Sequence, residues 1–439
     1  MKALVIGAAR SGTEVSRLLM SQGYKVTLTD SKLVANKEEL EQLSITVYDE
    51  GHPAFLELEN WDFIVKNPGI PYTVPFVERF VKKGVPILNE IEVASRYAFH
   101  FHYGAITGTN GKTTTTTILA ELLRQKNSDC AFAAGNIGVP LSTIVIDYAH
   151  KSCDIALEIA AFQLVGCPSF HPEVSVCMNL SPDHVDYFGT LEQYYEAKML
   201  VYRNQCGDDW FLRNIDDEEI VRRAINVPCQ VIDFSLEKKT DLRVEQGQVF
   251  LFDEVLFDVK DLHLVGQHNL QNAMVAAAMA YKMGVSSQKI KKGIQNFKGV
   301  AHRIEFVSEI QGVKYYNDSK GTNVDATIVA LKAFDQPVIL LAGGYDKKTG
   351  FDQIKPYLNR IQNMIVYGET KDQLKKLYPD AIVVDNLYEA VEMAKKIAQS
   401  GDVVLFSPIC ASWDQFENFE QRGDLFKQLI FDRKDNDLN

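Results

Sequence analysis

Apolar residues in this chain follow two alternating rhythms. Short unbroken runs such as Ala3-Leu4-Val5-Ile6 give way to stretches where apolar positions recur every three or four residues. The first pattern suits a strand buried on both faces, the second a helix with one face on a sheet. A strand at 3–6 therefore feeds a helix over 12–22, with Val15, Leu18 and Leu19 on one face, and a strand over 25–29 ending at Asp30. Another strand, 62–66, runs into the rigid turn Asn67-Pro68-Gly69-Ile70-Pro71. Buried strands follow at 105–106, 154–159 and 173–179, and a long helix from Asn269 to Met283 is closed by Gly284. Residues 240–258 alternate with Gln-Gly turns and predict antiparallel hairpins. The rhythm resumes with strands at 337–342, 364–367, 381–384 and 402–407. The order is that of an α/β protein with parallel sheets, in three domains: 1–94, 95–298 and 299–439.

The segment Ala105 to Thr117, AITGTNGKTTTTT, is strand, glycine loop and helix in immediate succession. Gly108 and Gly111 let backbone N–H groups of Thr109 and Asn110 turn toward an oxyanion, and the helix adds its positive end. Lys112 can reach terminal phosphates, and the Thr113 hydroxyl can sit on Mg²⁺. Two residues separate the glycines where the common phosphate loop has four, which leaves kinase, ATPase and ligase open.

The chain of 439 residues is long enough for about three domains. Its net charge of −12 argues against nucleic acid as the main partner, so anionic substrates require local cationic sites. No apolar run is long enough to span a bilayer, so no membrane insertion is expected. Arg10 interrupts the N-terminal apolar run too early for a secretory segment. Seven scattered cysteines without a CxxC pair predict reduced thiols and a cytoplasmic protein. Gly7 and Gly12 flank a turn without the full GxGxxG pattern, so a dinucleotide site is weakly signalled. Asp30 suits either a ribose or uracil hydrogen bond or a helix cap.

Other polar residues gather at predicted strand ends. Glu158 closes one apolar strand, and Asn179-Leu180-Ser181-Pro182-Asp183-His184-Val185-Asp186 follows the next, a setting suited to Mg²⁺. Lys198 lies on an amphipathic helix, and its pattern alone reads as a solvated surface lysine. Arg303 and Lys320 suit phosphate, and Asp318 suits a ribose or a metal-bound water. Gly343-Gly344-Tyr345-Asp346-Lys347 and the turn carrying Ser412 could hold a small carboxylate.

Together these motifs resemble the Mur ligase family of peptidoglycan synthesis over nearly the whole chain. The segments that carry the likeness are GTNGKTTTT (108–116), GNIG (135–138), NLSPDHVD (179–186), GQHNLQNAMVAA (266–277), HRIE (302–305), NDSKGTN (317–323) and SPICASWDQFENFEQRG (407–423). The resemblance implies a Rossmann-like N-terminal domain for a UDP-sugar peptide, a central P-loop ATPase-like domain for ATP and Mg²⁺, and a Rossmann-like C-terminal domain for the incoming amino acid. The NPGI turn and the CASWDQFENFEQRG ending point to the branch that joins D-glutamate to UDP-N-acetylmuramoyl-L-alanine.

Carried over residue by residue, the likeness puts Gly108, Thr109, Asn110, Gly111, Lys112, Thr113, Thr114, Asn269, Arg303 and Asp318 around ATP. It puts Thr113, Glu158, His184 and Lys198 at two Mg²⁺ ions, with Lys198 as a carbamate, and so reverses the surface reading of that lysine. Arg10, Asp30, Ser31, Gly69 and Asn136 fall to the UDP-substrate. Lys320, Thr322, Lys347, Ser412 and Phe419 fall to D-glutamate. Lys112, His184, Lys198 and Arg303 are the catalytic set of a monomeric enzyme working through an acyl phosphate. One departure stands out: Ala160-Ala161 replace the family's Ser-Ser after the metal glutamate. Competing readings are another ligase of the same build, such as a folylpolyglutamate synthetase, and a nucleotide-sensing regulatory protein.

Overall fold

The computed structural model describes residues 1–183, 185–346 and 350–432. His184 and Lys347 lie outside the described residues. The chain forms two compact units, one of residues 1–261 with 271–294, the other of 262–270 with the chain from 295 onward.

The first unit holds two sheets. The smaller has the order Thr46–Tyr48, Lys25–Thr29, Lys2–Ile6, Phe63–Lys66, Ile87–Leu88, and every pairing is parallel. Its central strand has Ala3, Leu4 and Val5 fully buried, as the unbroken apolar run requires. The larger sheet has nine strands. Phe101–Thr107, Cys153–Glu158 and Val174–Cys177 run parallel at its heart, so Thr107, Glu158 and Cys177 end on one edge. Leu242–Glu245, Gln248–Leu251 and Glu254–Asp258 pair antiparallel, as the Gln-Gly turns predict.

The second unit has one six-stranded sheet ordered Glu305–Ile310, Val313–Asn317, Val403–Phe406, Val338–Gly343, Ile361–Tyr367, Ile382–Val383. Only the first pair is antiparallel. The α/β class with parallel-rich sheets is thus found.

Two expectations change. Cys130 and Cys153 are joined by a disulfide, because parallel pairing of Ala131–Gly135 with Cys153–Glu158 brings the starts of the two strands side by side. Cys167, Cys177, Cys206, Cys229 and Cys410 are free thiols. Lys198 is not a surface residue: it is 2% exposed, because the helix Leu191–Met199 turns its Lys198 face onto the glycine loop.

Candidate active site

The strand Phe101–Thr107 delivers the chain into Gly108, whose φ of 139° favours glycine. A side chain there would stand 2.9 Å from Met178 Cβ. Gly111, at φ 84°, starts the helix Lys112–Arg124, and a Cβ on it would come within 2.5 Å of Asn272 Oδ1. Both glycines are therefore demanded by backbone shape and by close packing.

The end of the neighbouring strand clamps the loop. Thr109 N donates to Asn179 O at 3.0 Å, and Asn110 N to Asn179 Oδ1 at 2.8 Å. Thr109 Oγ1 donates to Ser181 O at 3.1 Å and accepts from Ser181 N at 3.1 Å. Thr113 and Thr114 occupy the first turn of the helix, at its positive end. Lys112 folds back over the loop, donating to Gly108 O and Thr109 O at 2.8 Å each.

Lys198 reaches the same loop. Its Nζ donates to Gly108 O at 2.7 Å and lies 4.6 Å from the Tyr194 ring centroid. Burial pushes its ammonium down to about 8, and the positive charge of Lys112 pushes the same way.

Glu158 ends its strand 1% exposed. Asn136 clasps it: Asn136 Nδ2 donates to Oε1 at 2.8 Å and Asn136 N to Glu158 O at 2.9 Å. The other carboxylate oxygen, Oε2, is buried with no hydrogen-bond partner among the described residues. A hard oxygen left without a donor fits a hard cation, with the Thr113 hydroxyl and Lys198 on the same edge. Ala160 lacks the hydroxyl expected after this strand. Gln163 Oε1 takes up the Ala160 N–H instead, at 2.9 Å.

In the first sheet, Arg10 opens the helix Arg10–Ser21, and its guanidinium donates to Gly138 O at 2.8 Å. Asp30 caps no helix. Its carboxylate accepts from Ala8 N at 2.6 Å and Lys32 N at 2.9 Å, tying together the loops after two adjacent strands. Ser31 is exposed beside it. Gly69 N donates to Asn67 Oδ1 at 3.1 Å in the turn after the next strand.

The second unit carries Asn269, Arg303 and Asp318. Asn269 Nδ2 donates to Val265 O at 2.8 Å. Arg303 is exposed between buried His302 (φ 61°) and Ile304 (φ 44°), both in the left-handed region. Such strain concentrates where a side chain must be presented to a ligand. Asp318 helps hold this turn, accepting from Ile304 N at 3.2 Å and from Ser407 Oγ at 2.7 Å. Burial pushes its carboxyl up to about 7.

Lys320 Nζ lies 5.6 Å from the Phe419 ring centroid, and Thr322 N donates to Lys320 O at 2.9 Å. Ser412 is buried on the turn that follows Val403–Phe406. Arg422 joins these segments, a role that nothing in the sequence pattern signals. It is fully buried; its guanidinium donates to Ser319 O at 2.8 Å, to Cys410 O at 3.2 Å and to Ala411 O at 3.1 Å. One planar donor fork thus fixes both the backbone before Lys320 and the backbone before Ser412.

The chain is similar to known proteins over nearly its whole length. The profile described as "Mur ligase middle domain" matches residues 106–280, and "Mur ligase, glutamate ligase domain" matches residues 302–410. The UDP-N-acetylmuramoylalanine--D-glutamate ligase of Geobacillus sp. (strain WCH70) is 41% identical over 436 residues, covering 97% of this chain and 96% of its own. The protein of the same name from Listeria monocytogenes (serovar 1/2a) is 39% identical, covering 98% and 96%. Among solved structures, the UDP-N-acetylmuramate-alanine ligase of Thermotoga maritima is similar in fold, with a TM-score of 0.55 at 19% identity, covering 98% of this chain and 99% of that one.

Proposed function

The chain belongs to the Mur ligase family, and on that premise we propose that it joins D-glutamate to the L-alanine carboxylate of UDP-N-acetylmuramoyl-L-alanine, with ATP converted to ADP and phosphate. The observation that carries this reading is the cluster at one edge of the nine-stranded sheet, where the phosphate loop, Glu158 and Lys198 meet. Full-length likeness to ligases that are named for D-glutamate supports the substrate choice.

The substrate carboxylate attacks the γ-phosphorus of ATP, the bond from that phosphorus to the ADP oxygen breaks, and an acyl phosphate and ADP result. The D-glutamate amine then attacks the acyl carbon, loses its proton and expels phosphate. The protein's work is positioning and charge neutralisation. Lys112 leaves the Gly108 and Thr109 carbonyls for the transferred phosphoryl group, and the N–H groups in the first turn of the helix Lys112–Arg124 hold the remaining phosphates, since Asn179 already takes those of Thr109 and Asn110. Asn269, Asp318 and Arg303, the last presented by its strained turn, are read as nucleotide-binding residues. Thr113, Glu158, His184 and Lys198 would hold Mg²⁺, which adds positive charge against the phosphate oxygens. Lys198 is read as a carbamate: its neutral amine adds CO₂, loses a proton and becomes an anionic oxygen ligand.

Arg10, Asp30, Ser31, Gly69 and Asn136 are read as the UDP-substrate site. Lys320, Thr322, Lys347, Ser412 and Phe419 are read as the D-glutamate site. The domains are read as 1–94, 95–298 and 299–439, acting as a monomer in the cytoplasm. Among the described residues, no helix is long and apolar enough to cross a membrane.

An ADP-release assay with the UDP-muramoyl-alanine acceptor and D-glutamate, L-glutamate or L-alanine tests the reading. Release only with D-glutamate and acceptor together is expected. Release with L-alanine, or without the acceptor, rejects it.

A further inference from the structure

Lys66 ends the strand Phe63–Lys66 and is 3% exposed. Its ammonium donates to Ile70 O at 2.6 Å, to Asn67 O at 3.2 Å and to the Tyr187 hydroxyl at 3.4 Å, and lies 4.5 Å from the Tyr72 ring centroid. Among the described residues no carboxylate forms an ion pair with it, and burial alone lowers it to about 8. A buried ammonium without a counter-charge is costly to keep, and a leucine or methionine would fill the space at less cost.

Its place in the sheet suggests what the charge is for. From the central strand Lys2–Ile6 the chain first builds outward on one side, through Lys25–Thr29, and later on the other, through Phe63–Lys66. The carboxyl ends of the central strand and Phe63–Lys66 therefore form the topological switch point, where open α/β sheets bind ligands. Lys66 stands there beside Ile6 in register. Gly7 follows at φ 100°, packed so closely that a Cβ would lie 2.7 Å from Asn67 Cβ. Tyr187, from the helix Val185–Phe188, brings its hydroxyl to 3.2 Å from Pro68 O and 3.3 Å from Ile70 O. Lys66, from a strand end, and Tyr187, from a helix, thus grip the same turn within one unit.

We propose that Lys66 is a substrate-positioning residue: its ammonium is the fixed positive charge that an anionic nucleoside diphosphate completes at the switch point, and with Tyr187 it holds the 67–70 turn against the segment following His184. This rests on the reading of the first sheet as the nucleotide-substrate site. That reading and the role of Lys66 fail separately, because the wild-type protein tests the first and the variant the second.

Lys66→Met keeps the stem and removes the charge. Calorimetric titration with UDP and with uridine should show UDP binding weakened about tenfold or more and uridine within about twofold. In turnover, the KM for the UDP-muramoyl-alanine acceptor should rise while kcat and the KM for ATP stay within about twofold. Unchanged UDP affinity, or equal weakening of UDP and uridine, overturns the proposal. If wild-type protein binds neither, the nucleotide reading of the first sheet is what fails. Should Lys66→Met not fold, Lys66→Arg and Lys66→Gln decide: the first should bind UDP within about threefold of wild type and the second should lose UDP but not uridine, and equal UDP affinity in the two overturns the proposal.

Discussion

Lys112 and Lys198 share one acceptor. Their Nζ atoms donate to the carbonyl oxygen of Gly108 at 2.8 and 2.7 Å, from two different helices. Two ammonium groups on one carbonyl repel each other, and Lys112 is among the causes that lower Lys198. The arrangement is a poor resting place for two cations and a good one for a cation beside an anion. Conversion of Lys198 to a carbamate, as proposed, would relieve the repulsion and leave Lys112 as the loop's positive charge.

Lys198→Ala should therefore keep its fold and lose activity by about a hundredfold or more. A short-chain carboxylic acid in excess should restore part of the rate by supplying the missing oxygens. Full activity in the variant, or intact protein whose mass spectrum under CO₂ never shows the added carbamate, refutes the assignment.

Lys112→Ala should lower kcat by about a thousandfold, the scale for losing a phosphate clamp, with folding unchanged by circular dichroism. Near-normal turnover would reject the loop as the phosphoryl-transfer site.

Ser412 is buried on the turn whose preceding carbonyls Arg422 holds. Ser412→Ala should raise the KM for D-glutamate about tenfold while the KM for ATP moves less than twofold. Steady-state kinetics with each substrate varied in turn distinguishes this from a general loss. Equal changes in both constants would move the glutamate pocket elsewhere.

Asp318 sets a pH dependence. Its folded carboxyl titrates at about 7, against roughly 3.9 in an unfolded chain. Between these values the unfolded chain has lost the proton and the folded protein has kept it. Stability is then fullest below about pH 4, falls as pH rises toward 7 and is level above. Glu90, raised to about 7 by burial, acts in the same direction. Thermal melts of wild type and Asp318→Asn from pH 5 to 8 should therefore converge in slope only in part, with the variant flatter. Identical slopes would show that Asp318 ionises normally.

Gly135 has φ 95°, and a Cβ there would lie 2.2 Å from Glu158 O. Gly135→Ala should destabilise by about 2 kcal/mol or more and displace Glu158. Urea melts report the first effect. Loss of ADP release at saturating ATP and Mg²⁺ in protein that is still folded reports the second.

The sequence by itself determined the rhythm of strands and helices, because burial on two faces and burial on one leave different apolar periods. It also determined the glycine loop between strand and helix, since Gly108, Gly111 and Lys112 lie within five residues and their conformational demands are local. The hairpins of residues 242–258 were legible for the same reason. Tertiary structure decided the rest. Lys198 looks like a solvated lysine in its own helix, and only packing against residues 90 positions earlier buries it. Asp30 is no cap because its partners, Ala8 and Lys32, lie in loops that the parallel sheet brings together. Arg422 and Lys66 lie in segments that the pattern marks, 407–423 and 62–71, but nothing local shows that they are buried. Among the described residues no carboxylate pairs with either charge, and burial is set by residues that meet only once the chain has folded.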